Sequence, residues 1–126
     1  MNLHIIELAA RAAEKSKERH RIGAVIFKGN KIISYAYNEF RCCSRLHPKY
    51  KRFDFSFHAE QRAILNARTD LRRTSILVVR INREGNFLLA KPCCYCLEYI
   101  REVGIKNIYY STDTGIEKLL TYTKSN

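Results

Sequence analysis

Two hydrophobic periods alternate along this chain. From about Asn2 to Arg19, Leu3, Ile6, Ala10 and Ala13 recur at helical spacing. The charged residues Glu14, Lys15, Lys17 and Glu18 crowd the far end, and the pattern predicts an amphipathic helix. Ile22 to Lys28 is a β-rich run, Gly29-Asn30 a turn, and Lys31 to Tyr37 a second strand. A basic, aromatic connection follows from Glu39 to about Phe57. His58 to Arg68 then reads as a helix and Ser75 to Asn82 as a third strand closed by the polar turn Arg83-Glu84-Gly85-Asn86. Pro92 precedes a helix from Cys93 to Val103, with Gly104 at the C′ position, and Lys106 to Ser111 is a fourth strand. The order α-β-β-α-β-α-β predicts one sheet with helices packed on its faces. After the turn Thr112-Asp113-Thr114-Gly115, Ile116 to Thr123 reads as a short helix or a fifth strand. With 11 residues left after Gly115, a crossover helix plus a parallel strand does not fit, which favours a hairpin.

Composition narrows the class. The chain has 126 residues, 46% of them hydrophobic and 11% aromatic, enough for one core and too apolar for a disordered protein. No apolar run approaches the ~18 residues of a membrane span, and the N-terminus lacks the layout of a signal peptide. The expectation is a cytoplasmic domain with no membrane partner. Lys and Arg number 23 against 12 Asp and Glu, a net charge of +11, which points to phosphate-bearing partners. Five cysteines cannot form a fully paired disulfide framework, so thiols or metal ligands in a reducing compartment are expected.

The chemistry concentrates in two short pieces, His58-Ala59-Glu60 and Pro92-Cys93-Cys94-Tyr95-Cys96, each opening a predicted helix. Cys93 and Cys96, three apart, share one face of a first turn, where free backbone N–H groups and the helix dipole favour thiolate. Two thiolates and the His58 imidazole make a donor set suited to Zn²⁺. Three protein ligands leave the fourth position open to water, the catalytic arrangement, in which the ion makes hydroxide available near neutral pH. On a regular helix His58 and Glu60 lie about 200° apart. They meet only if His58 stands at the irregular start and Glu60 reaches the same pocket from the first turn. A carboxylate there can shuttle a proton from water to nitrogen, which fits hydrolytic removal of an amine from an electron-poor ring.

His-x-Glu followed by Pro-Cys-x-x-Cys resembles the zinc-dependent cytidine and deoxycytidylate deaminase superfamily. The resemblance extends to Arg21-Ile22-Gly23-Ala24-Val25-Ile26, Lys31-Ile32-Ile33 and Asn38, and to Gly104 through Ser111, roughly residues 3 to 111. It implies an α/β fold, a three-layer α/β/α sandwich with a mixed central sheet of four to five strands, and one deaminase-type zinc-binding domain over residues 1–126. It also implies one catalytic Zn²⁺ on His58, Cys93 and Cys96, with Glu60 as proton shuttle. Asn38 would contact the substrate's sugar or base, and the Ala59 N–H the ring. Relatives often form dimers or tetramers, which leaves a homo-oligomer open.

The implied reaction is cytosine to uracil with release of ammonia, on a (deoxy)cytidine nucleotide or on single-stranded nucleic acid. Arg41, Arg45, Lys49, Lys51 and Arg52 stand upstream of His58 with Phe40, Tyr50, Phe53, Phe55 and Phe57 among them, the pairing expected of a single-strand groove. The loop lacks the Gly-x-Pro stretch frequent after the asparagine in deoxycytidylate deaminases. The helix reads Cys-Leu-Glu-Tyr-Ile without the Met-Cys-Ala-Gly run of tRNA adenosine deaminases, so adenosine ranks behind cytosine. A catalytically silent, zinc-stabilised nucleic-acid binding module is the non-enzymatic alternative, and it leaves Glu60 unexplained. Cys42, Cys43 and His47 form a second small cluster that lacks a clear fourth ligand for another zinc.

Overall fold

A computed structural model of the protein describes residues 1–39 and 58–119. The strand β1 (Arg21–Lys28) and the later strand β3 (Ser75–Ile81) are buried almost continuously rather than on alternate residues, which requires cover on both faces of the sheet. That cover comes from unequal helices. On one face α1 (Leu3–Glu14) packs Ile5, Ala9 and Ala13 against Val25, Phe27, Leu77 and Val79. On the other, α2 (Ala59–Ala67) and α3 (Cys94–Glu102) bring Ala59, Ala63, Ile64 and Ile100 onto Ala24, Ile26, Ile76, Val78 and Ile108. The result is the expected three-layer α/β/α sandwich.

Strand β2 (Lys31–Tyr37) pairs antiparallel with β1, and β1 pairs antiparallel with β3. Strand β5 (Asn107–Thr112) runs parallel to β3, and β6 (Gly115–Lys118) returns antiparallel to β5, giving the order β2-β1-β3-β5-β6. The hairpin reading of the tail therefore holds for Gly115–Lys118, and residues 120–126 lie outside the described set. One strand more than expected completes a six-stranded mixed sheet. After the Arg83–Asn86 turn the chain folds back, and β4 (Phe87–Leu88) pairs with Arg80 and Ile81. Two residues are too short to leave a periodic signal. No helix among the described residues is long and apolar enough to cross a membrane.

The first helix corrects the predicted stripe. Leu3 is 67% exposed and the helix ends at Glu14 rather than near Arg19. Its buried face is built on alanine because α1 lies almost against the sheet at Gly23. A Cβ there would meet the Ala9 carbonyl oxygen at 2.3 Å and the Ala13 nitrogen at 2.6 Å, backbone atoms that cannot rotate away. Gly23→Ala should therefore lower stability by about 1–3 kcal/mol or more by overpacking. Urea unfolding with an unchanged m-value would show it, and a wild-type midpoint would remove this account of the α1 contact. The chain turns after α1 because the Ser16 hydroxyl accepts from Glu18 N–H and donates to the Asn38 carbonyl.

Candidate active site

The site lies at one end of the sheet, where β3 and β5 finish, β2 ends and β1 begins. Parallel strands present their carboxyl ends there, the usual position for a ligand in an α/β fold. Both helices of the covered face also start at this end, and each start carries a motif residue outside the helix proper. His58 is the N-cap of α2 in an extended conformation (φ −66°, ψ 150°), and Cys93 is the N-cap of α3 (φ −72°, ψ 169°). Leaving helical φ/ψ at His58 removes the 200° conflict. His58 and Glu60, the latter in the first turn of α2, line one pocket together with Cys93. The Gln61 side chain accepts from the His58 backbone N–H at 3.1 Å and fixes this start.

The ligand atoms of His58, Cys93 and Cys96 lie within 4.8 Å of one another, with His58 Nδ1 3.1 Å from Cys96 Sγ. Tetrahedral bonds of ~2.0–2.3 Å from nitrogen and sulfur to zinc place such donors about 3.6 Å apart, so small side-chain rotations bring all three onto one ion. The electrostatics agree. Cys96, followed by His58, hydrogen-bonds to Cys93 and draws its thiol down from 9.0 to about 3, which makes it a thiolate at neutral pH. Among the described residues this is the one cluster of three metal-ligating groups, and its soft N/S donor set fits one Zn²⁺. Cys94, between the two ligand positions, is exposed and stands outside the pocket lining.

Glu60 is 6% exposed, and burial raises its carboxyl above 4.5 against the opposing pull of His58. A buried carboxylate of raised pKa beside a metal-ligand cluster is suited to exchanging protons. The pocket, about 290 Å³, has apolar walls from Ile22, Val78 and Leu89. Ala59, fully buried, and Asn38 contribute to its lining. Asn38 is held by the backbone it faces. Its Oδ1 accepts from Ile22 N–H at 3.0 Å, and its Nδ2 donates to the His20 carbonyl at 2.7 Å. The amide thus fastens the start of β1 to the end of β2 and keeps one N–H and one lone pair.

Three cationic or cation-forming residues at the pocket were not legible in the motifs: His20, Arg80 and Lys91. Arg80 Nη2 donates to His20 Nδ1 at 2.8 Å. The signal that marks Arg80 is a break in pattern, one charge inside the apolar run from Ile76 to Ile81. The predicted phosphate contacts Arg41, Arg45, Lys49, Lys51 and Arg52, and the cluster Cys42, Cys43 and His47, lie outside the described residues.

Residues 2–112 match the family described as the cytidine and deoxycytidylate deaminase zinc-binding region. A deoxycytidylate deaminase of Schizosaccharomyces pombe is 28% identical over 133 aligned positions, covering 90% of this chain. The chain spans 38% of that relative's length. The fold is shared with the dCMP deaminase of cyanophage S-TIM5 in complex with dCMP and dUMP (TM-score 0.58, 21% identity, 89% of this chain and 84% of that one). It is also shared with the cytidine deaminase of Mycobacterium leprae (TM-score 0.55, 19% identity, 89% and 87%).

Proposed function

The chain belongs to the cytidine and deoxycytidylate deaminase zinc-binding family, and on that premise we propose that it is a hydrolytic deaminase converting the cytosine of a nucleotide to uracil with release of ammonia. The observation that carries this reading is the buried Glu60 on the pocket it shares with His58 and Cys93. A purely structural zinc site has no use for such a carboxylate. The relative from fission yeast is a deoxycytidylate deaminase and the cyanophage enzyme of the same fold binds dCMP and dUMP, which supports a cytosine nucleotide as substrate.

His58, Cys93 and Cys96 would hold the zinc, with residues 1–126 acting as one catalytic domain. When bound, the ion supplies the Lewis acidity that makes water nucleophilic near neutral pH. Glu60 would take a proton from the attacking water and pass it to the ring nitrogen beside the reacting carbon. It would then deliver the second proton to the departing amine, so that water and cytosine balance to uracil and ammonia. Ile22, Val78 and Leu89 would give the ring an apolar wall. The Ala59 N–H and the remaining donor and acceptor of Asn38 orient the base and sugar.

The test is ammonia release by the zinc-loaded full chain from dCMP, CMP, deoxycytidine, cytidine and adenosine. Ammonia with stoichiometric uracil product from a cytosine nucleotide is the expected result. Zinc-replete protein that releases none from any cytosine substrate would leave a silent binding module and end the deaminase reading.

A further inference from the structure

The pocket continues beyond Arg80. That residue also lines a second, shallower groove of about 750 Å³ between the α1–β1 connection and the β3–β4 turn. Among the described residues, the groove collects Lys17, Arg19, Arg21 and Arg83 beside Arg80, with Glu18 as its one acid. Five cations to one anion exceeds the chain's own ratio of 23 to 12, so the groove is more than a sample of a basic surface. The next depression along the surface shares Arg21 and Arg83 but adds Glu14 and Glu84, and the strongly positive stretch ends there.

Arg80 stands at the junction in an unusual state. It is half-buried, and its Nε is shielded from water and without a hydrogen-bond partner among the described residues. The guanidinium is steadied by His20 Nδ1, an acceptor that brings no negative charge when the ring is neutral. A positioned cation with no acidic partner among the described residues, opening on two cavities, has the character of an anion site. One phosphate at the pocket mouth would use Arg80 and its neighbours His20 and Lys91. It would leave Lys17, Arg19 and Arg83 with nothing to bind, whereas a strand supplies a further phosphate with every nucleotide.

We infer that this groove holds the sugar–phosphate backbone of single-stranded nucleic acid next to the nucleotide whose base enters the pocket, with Arg80 on the phosphate at the junction. The inference rests on the deaminase reading for the identity of the base, while the groove can be tested by binding alone. Contacts to phosphate carry no sequence information, so affinity should depend on salt and little on the flanking bases.

Lys17, Arg19 and Arg83 are exposed and outside the pocket lining, so their combined replacement by glutamine should leave the fold intact. Binding of a short labelled single-stranded DNA by the zinc-loaded full chain should weaken steeply with salt. In Lys17→Gln/Arg19→Gln/Arg83→Gln the slope of log affinity against log salt should flatten by about two, ~0.7 for each lost contact. Turnover of dCMP should be unchanged in this variant, and deamination within the strand should fall. Lys28→Gln/Lys31→Gln/Lys106→Gln removes the same charge from exposed positions at the opposite end of the sheet and should keep the wild-type slope. Equal flattening in both variants would mean net charge alone, and no flattening in the first would mean an unused groove. Either result, or a wild type that does not bind the strand, overturns the inference. If no cytosine substrate is turned over but the groove variant alone loses its salt slope, the deaminase reading fails and the groove stands. If dCMP is turned over and the groove variant binds as wild type does, the groove fails alone.

Discussion

Glu60→Gln is expected to keep its fold and its zinc and to lose turnover by at least ~10²–10⁴, the usual worth of a positioned acid–base group. Glutamine preserves the shape of the buried side chain and removes the group that exchanges protons. Steady-state ammonia release alongside zinc content measures the two properties separately, and an active Glu60→Gln enzyme would place the proton shuttle elsewhere. The same substitution has a stability signature in metal-free protein. Burial raises the folded-state pKa of Glu60, so its contribution is fully present below the unfolded value and declines as pH rises through the folded one. Metal-free wild type should lose stability relative to metal-free Glu60→Gln across that rise. Parallel stability–pH curves for the two proteins would contradict a buried, ionising Glu60.

Cys96→Ser is expected to lose zinc and stability together. Cys96 is 1% exposed and 3.1 Å from His58 Nδ1, so its sulfur lies at the inner side of the donor cluster. A serine hydroxyl is a poor zinc ligand at neutral pH, and the affinity loss should exceed the 10–100-fold that follows from disturbing even an outer-shell partner. For zinc present at 100 times its dissociation constant, the forfeited linkage is about 2.7 kcal/mol, roughly 10 °C in unfolding midpoint for a domain of this size. Chelator-treated wild type should fall to nearly the same midpoint, because metal binding is coupled to folding. Cys94→Ser, changed at an exposed neighbour outside the pocket, should match wild type in both measurements. Full zinc occupancy in Cys96→Ser would refute the ligand set.

The element order was readable because each segment carries its own period, and periodicity is a local property of the chain. The fold departs from local periodicity where a tertiary contact chooses among local options. The stripe through Leu3 was as regular as the one through Ile5, Ala9 and Ala13. The second won because Gly23 lets alanine backbone approach the sheet, and nothing within α1 announces that partner. Strand β4 exists because Arg80 and Ile81 offer it ladder positions. Two residues cannot display alternation by themselves.

The candidate chemistry divides along the same line. Donor types and spacing can be read directly along the chain: His58 with Glu60, Cys93 with Cys96, and the proline and helix starts that make thiolate favourable. These are short-range relations, written in residues two or three apart. The meeting of the two helix starts at one end of the sheet is a product of long-range packing, because it depends on the parallel pairing of β3 with β5 and on both helices covering one face. The same long-range packing turned Asn38 toward the backbone of His20 and Ile22. It also brought His20 and Arg80, sixty residues apart in the chain, to a 2.8 Å contact at the pocket. Such a pair has no motif, since its meaning lies in proximity that only the closed sheet supplies.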